Sequence, residues 1–436
     1  MSLLGAMNAA ISGLTAQSAA FGNISDNVAN SQTIGFKRAD TAFIDFLTTS
    51  TASVNEPGAV VARPDYANNV QGSITQTDNS LALAIAGNGF FAVSRPNGSV
   101  GGLPTFSQQQ LYTRAGDFNM DANGYLVNSA GNYLDGWLID PVTLQLNQAV
   151  VAPIQVQQGV FNPIATSLET LSANLPATPA VGSTISTQLQ IYDTLGSLHT
   201  VTLDWTQNAL NDWTVTITSP DDIALAARGT ADVQFGPIIS GNPVTDGAIG
   251  NIVGTTGSVA TLGYAAATPA DLTFITDFGL GPQTITLDLG IYGQSVGLTQ
   301  YAGTQYSLNG LSQDGVPPGT FSSVGTQANG DIVANYDNGQ TKIIARVPLI
   351  TFANANALQR EDGQAFSVTL DSGVPLVNAA GASGSGHLVA NATESSNVDI
   401  ASEFAKLIVA QRAYSANTRI ITTADDMTQQ TIDMKR

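Results

Sequence analysis

Apolar residues recur along this chain at two different periods, and the change of period divides it. At the front, Leu4, Met7, Ile11, Leu14, Phe21 and Val28 fall on a three-four alternation, the spacing that lines one face of an α-helix. At the back, Ile400, Phe404, Leu407, Tyr414 and Ile421, continued by Thr428 and Thr431, mark a second stripe of the same kind. Between them the period falls to two. Val201, Leu203 and Trp205 alternate with Thr and Asp; Trp213, Val215 and Ile217 alternate with Thr; Ile285, Leu287 and Leu289 repeat the pattern. Such alternation predicts strands with one wet face. The expected fold is multidomain, with mainly β outer domains and a discontinuous α-helical terminal domain. Its N- and C-terminal helices, each with an apolar stripe to cover, are expected to form a coiled coil with each other or with a neighbouring copy.

Turn and cap residues set the boundaries. Residues 1–30 predict the first helix, with Ser2 as N-cap and Ala6, Ala9, Ala10, Ala16, Ala19 and Ala20 flanking the stripe so that another helix can approach closely. Gly5 and Gly13 each cost about 1 kcal/mol relative to Ala, so this helix is expected to fold only on packing. Ser31, Thr33, Gly35, Pro57, Gly58 and Pro64 then break the periodicity, and 31–75 reads as a linker or extended arm anchored by Phe36, Phe43, Ile44 and Phe46. Residues 76–145 plus 301–385 predict one β domain, with tight turns at Gly87-Asn88-Gly89 and Asn123-Gly124. Residues 146–300 predict an outer β domain, with long loops over 237–270. Gly381 to Gly386 reads as a flexible joint. Ser396 to Asp399 opens the last helix as a capping box, and 396–436 joins 1–30 as a helical inner-core domain.

Composition narrows the function. Of 436 residues only 11% are charged, against about 25% in an ordinary domain. The surface is therefore Ser, Thr, Asn, Gln and Gly, which lets copies approach without strong repulsion. The net charge of -19 and the absence of Lys between Lys37 and Lys342 exclude a backbone-tracking nucleic-acid site and argue against an anionic membrane surface. There is no Cys, which removes thiol chemistry and Cys-based zinc. The first cation is Lys37, so no basic secretory n-region is read, and no run of about 18 apolar residues predicts a bilayer span. A dedicated export route is the expectation.

The chemistry-bearing residues are sparse. His199 and His387 have no metal-ligand neighbours at helical or hairpin spacing. Asp117, Asn119, Asp121 and Asn123 imitate a calcium loop, but the position where an EF-hand loop begun at Asn119 needs its last acidic ligand is Ala130. No nucleophile elbow, P-loop or dinucleotide fingerprint occurs. No cofactor, no metal and no catalytic residue is expected. Trp137, Trp205 and Trp213 leave a different class open, a secreted β-rich adhesin or glycan-binding protein, although two of them sit in strand patterns that core packing explains more simply.

The ends carry a resemblance. Asp26 to Arg38, with Asn27, Asn30, Thr33, Gly35 and Phe36, and the C-terminal run holding Asn397 to Ile400, Gln411, Arg412 and Tyr414, and Thr423 to Met427, closely resemble the terminal signatures of the bacterial flagellar rod and hook axial protein family. Ala86 to Phe91, Tyr112 to Arg114 and Gly124 to Val127 fit as well. Ile191 to Val201, Gln313 to Gly319, Asn335 to Gln340 and Leu349 to Asn354 are similar to the hook branch, and a distal rod component is the alternative within the family. The resemblance implies a non-enzymatic structural subunit that polymerises into a curved, flexible tube, a universal joint passing torque from motor and rod to filament. It implies contacts with other copies, with distal rod, hook-filament junction and hook cap proteins, and with the flagellar type III export apparatus, and an extracellular place in the flagellum reached without a cleaved signal peptide.

Overall fold

The computed structural model describes residues 3–50, 55–140, 143, 145–179, 182–303 and 305–434. It is mainly β, with three α-helices among the described residues: α1 (Leu3–Ala29), α2 (Gly236–Ser240) and α3 (Ile400–Asp433). The chain forms two compact units. One comprises 1–158, 322–335 and 341–436, the other 159–321 and 336–340.

The first unit holds both chain ends. α1 and α3 pack on each other antiparallel: Gly13 lies against Asn417, Phe21 meets Tyr414 edge-on, and Asn27 reaches Glu403. The buried positions of α1, which packs on α3 and on the hairpin described next, are Ala10, Gly13, Ala16, Ala20, Ile24 and Asn27, not the bulky stripe. Small residues win this face because they let the two backbones come close. α3 begins at Ile400, immediately after the expected box of Ser396 to Asp399 and four residues past the expected opening at Ser396. Asp399 is the cap, accepting from the backbone N–H groups of Ala401 and Ser402.

Residues 31–75, expected as a linker or extended arm, contain a long antiparallel hairpin of β1 (Ala39–Ser50) and β2 (Asn55–Tyr66) lying along α1. Its β-branched and aromatic residues outweigh the breaking effect of Pro57 and Pro64. The same unit holds a sheet of 11 strands. Its centre runs Thr341–Arg346, Tyr133–Leu138, Phe91–Ser94, Leu111–Thr113 and Ala365–Ser367. Phe91, Phe118, Leu126 and Leu134 are fully buried in this unit. The expected joint at Gly381 to Gly386 is a pinned turn: Gly381 N–H donates to the Gly386 carbonyl at 2.8 Å, and Ser385 Oγ donates to the carbonyls of Ala379 and Ala382.

The second unit contains two five-stranded sheets sharing one core. One is an antiparallel meander from Thr184–Tyr192 to Ile249–Val253, in which Trp205 faces Val215 and Leu203 faces Ile217. In the other, Leu168–Pro176 is flanked by Pro282–Ile291 and Ser307–Gln313. That last pairing explains why this unit reaches 321 rather than 300. The strand after 301 runs back along Leu168–Pro176 and belongs with it.

Candidate assembly interface

A buried ionic cluster sets the take-off points of both terminal helices. Glu394, on the strand Ala392–Glu394 that leads into α3, is fully buried. Its Oε1 accepts from Lys37 Nζ at 2.5 Å and from the Gly72 N–H at 2.8 Å; its Oε2 accepts from Arg114 Nη1 at 2.9 Å. Lys37 also donates to the Val70 carbonyl, and Arg114 to the Gly87 carbonyl while lying over the Phe90 ring. Burial pulls the Lys37 ammonium down to about 8, and Glu394 works against that fall. The carboxylate thus ties the segment after α1, the turn that follows the sheet strand Leu111–Thr113 and the segment before α3 to one point. Gly35 fits there because its φ of +71° is left-handed and a Cβ would lie 2.4 Å from the Ala115 nitrogen. Its N–H donates to the Glu394 carbonyl.

Just beyond lies the seam. Asn27 is buried and doubly used. Its Nδ2 donates to the Ala39 carbonyl and to Glu403 Oε2, and its Oδ1 accepts from the Ala39 N–H. Glu403 is buried too and is neutralised by Lys406, which bridges to Asp40. Burial opposes the charge on Lys406, but Asp40 and Glu403 together hold its ammonium above the ordinary value. Further along, the buried or half-buried positions of α3 are Leu407, Ala410, Ala413, Asn417, Ile421 and Ala424. A groove of about 700 Å³ opens beside this end of the seam, lined by Ala20, Ile24, Phe43, Lys406, Val409 and Ala410 among others.

The stripes read from sequence divide between covered and uncovered. Met7, Leu14, Phe21 and Val28 are half-buried, Ile11 is exposed, and the side chain of Leu4 lies outside the described residues. Leu407 and Ile421 are half-buried against α1, and Tyr414 touches Phe21 while staying open on its other side. Ile400 and Phe404 are exposed, and so are Ile408, Val409, Ile420, Met427 and Ile432. Phe404 is 52% and Val409 67% open, far more than a helix keeps on a face packed into its own domain. Asn30 and Thr33 link the end of α1 by side-chain hydrogen bonds, Phe36 is buried under Arg360, and Gln411 and Arg412 stand on the open face of α3. Glu394, Glu403 and Arg360 escaped the sequence reading. Glu403 left a trace, an acid within an otherwise apolar seam spacing; Glu394 left none, since its partners lie hundreds of positions away.

Asp121, from the imitation calcium loop, uses Oδ1 to accept the N–H groups of Asn123 and Tyr125, the work of a turn. Trp205 and Trp213 are fully buried and Trp137 nearly so, so none offers a face to a sugar.

Comparison with known proteins gives three matching family models. The "Flagellar hook protein FlgE/F/G D1 domain" matches residues 84–164, the "Flagellar basal body protein FlaE D2 domain" 164–316, and the "Flagellar basal body rod FlgEFG protein C-terminal" 389–434. The chain is 31% identical over 441 residues to the flagellar hook protein FlgE of Brucella suis, covering 100% of both chains. To the FlgE of Escherichia coli K12 it is 28% identical over 448 residues, 99% of this chain and 100% of that one. A solved structure, the Helicobacter pylori flagellar hook protein FlgE2, aligns with a TM-score of 0.47 at 14% identity, over 72% of this chain and 98% of that one.

Proposed function

The chain belongs to the flagellar hook protein family, and we propose that its terminal helices make the contacts by which this structural hook subunit polymerises. Its place is the hook of the bacterial flagellum. The observation that carries the reading is the exposed apolar side chains that α3 keeps after α1 has been packed: Ile400, Phe404 and Ile408 within about 80° of one another around the helix, and Val409, Ile420 and Met427 within about 20°. An apolar surface of that extent on a folded subunit marks an interaction site. Supplied by a second copy, it gives a head-to-tail contact that does not close and so generates an open helix of subunits. The two helices, stapled at Glu394 and Glu403, then act as one two-stranded coiled coil and form the inner wall of a tube.

The same design accounts for a universal joint. A bent rotating tube must lengthen on one side and shorten on the other. The helical wall holds while β units with few charges slide past one another at small electrostatic cost. The same ends would meet the distal rod, the hook-filament junction protein and the hook cap, and a first helix that folds only on packing suits passage through the type III export apparatus without a cleaved signal peptide. Phe404→Asp tests the interface. The side chain is exposed, so the monomer keeps its thermal unfolding profile, while a charge buried at the subunit contact abolishes polymerisation. Polymers forming at the wild-type concentration would remove α3 from the contact.

A further inference from the structure

His199 stands where three connections of the second unit meet. It lies at the start of the strand Leu198–Ala209, just after the turn at 193–197. Carboxylates from two different connections face its two ring nitrogens. Nε2 lies 3.3 Å from Asp193 Oδ2, in that turn. Nδ1 lies 3.1 Å from Asp221 Oδ2, in the connection between the strands Asp212–Thr218 and Ala227–Phe235. The ring is stacked flat on Phe278, with 3.7 Å between centroids and 3° between planes. Phe278 follows the strand Pro269–Asp277, which belongs to the other sheet of the same core. A neutral imidazole carries one N–H, so in either tautomer one of the two carboxylates faces a ring lone pair. The imidazolium donates to both, and a cation over the Phe278 ring is attracted by its quadrupole. Burial opposes the charge on Asp193, but the Ser197 N–H, the His199 ring and the Leu195 N–H hold its carboxyl below the ordinary range. Asp193 and Asp221 are the charged groups in contact with the ring among the described residues. Asp222, next in the chain, is already used by Arg228 at 2.9 Å and by the N–H groups of Ala224, Leu225 and Asp277.

We propose that His199 is a proton-operated latch: as imidazolium it ties the 193–197 turn to the 219–226 connection against Phe278, and as neutral imidazole it lets one carboxylate go. The one released is Asp221. Its side chain is 55% exposed against 7% for Asp193, and Asp193 is also held through Oδ1, which accepts the N–H groups of Leu195 and Ser197. The latch is therefore closed at low pH and opens as pH rises through the range in which imidazole gives up its proton, between about pH 5 and 8. What it positions is a set of apolar loop tips. Leu195 on the turn and Ile223 and Leu225 on the connection are 65%, 68% and 69% exposed. Closed, the latch holds the two loops as one surface. Open, the 219–226 connection stays tied through Asp222 and moves independently of the turn. The inference stands apart from the assembly reading above, since every group in it belongs to one unit of one chain.

The test uses the full, unpolymerised chain. Glu169→Gln is the background throughout, because burial lifts that carboxyl of the same unit to about 7 and its titration would overlap. The chain has two histidines, so NMR of histidine-labelled protein follows each ring nitrogen, and His387→Gln assigns them. Hydrogen exchange reads the loop through the amides of Ile223, Ala224 and Leu225, corrected for the intrinsic pH dependence of exchange. These amides are bonded to the Asp277 carbonyl and to Asp222. As His199 loses its proton, their protection should fall about fivefold. Asp221→Asn, whose amide can either donate or accept, should remove that pH dependence and move the proton loss of His199 to lower pH. His199→Gln should also give flat protection across the range. Loop protection that does not follow the His199 proton, a pH dependence that survives either substitution, or proton loss at the same pH in Asp221→Asn as in the parent chain overturns the latch.

Discussion

Glu394→Gln removes the single negative charge that holds three segments of the first unit together. The carboxylate accepts from two cations, Lys37 at 2.5 Å and Arg114 at 2.9 Å, and from the Gly72 amide, and the three charged side chains are buried. After the substitution two buried cations face each other with no anion between them. Breaking a buried ion pair by deleting one partner costs about 3–5 kcal/mol, a large share of the 5–15 kcal/mol that a domain typically has. For a unit of this size each kcal/mol moves the melting temperature by roughly 2–4 °C, so a fall of about 10 °C is expected in the unit that carries the helices. Calorimetry resolves that transition, while tryptophan fluorescence, dominated by the buried Trp205 and Trp213 of the second unit, should stay in place. Lys37→Met with Glu394→Met should recover part of the loss, since it leaves one cation instead of two. A first-unit transition within about 2 °C of wild type would refute the reasoning, because it would mean that the cluster is hydrated or dispensable.

Asn27→Ala deletes three buried hydrogen bonds, one of them to a carboxylate, and should lower the stability of the same unit by about 3 kcal/mol. Denaturant titration of the monomer checks it, and an unchanged midpoint would separate Asn27 from the seam. In the second unit, burial and the neighbouring Asp314 raise the Glu169 carboxyl from 4.5 to about 7. A folded-state value above the unfolded one means stability that is full below pH 4.5 and lost as pH rises through 7. The loss is at most about 3 kcal/mol. Glu169→Gln should flatten the pH dependence of the tryptophan-detected transition between pH 5 and 8 and stabilise the unit at pH 8; a wild-type slope in the variant would contradict this.

The periods of the sequence carried the elements but not their partners. Strand alternation around Trp205 and Trp213 named core residues that are fully buried, because a period of two assigns a face without needing tertiary information. The terminal helices were legible in extent for the same reason. Which face of α1 meets α3 was not. The bulky stripe dominates any reading by hydrophobicity, whereas Ala10, Gly13, Ala16 and Ala20 are buried because backbone approach, not side-chain size, governs a close helix pair. The hairpin of β1 and β2 was masked by Pro57, Pro64 and Gly58, residues tolerated where a strand has a free edge. The Glu394 cluster joins positions 37, 114 and 394, and only the fold can bring those together. On α3, the exposed side carries Phe404 and Ile400 from the predicted stripe, together with the Arg412 that a family resemblance alone singled out.

The most direct measurement is a helical reconstruction of the polymer assembled from the purified chain. The account expects α1 and α3 of every copy to form the innermost wall, with Phe404, Ile408 and Val409 covered by a neighbouring copy. Density that placed these helices on the outside of the polymer, or left that face of α3 open to the channel, would contradict it.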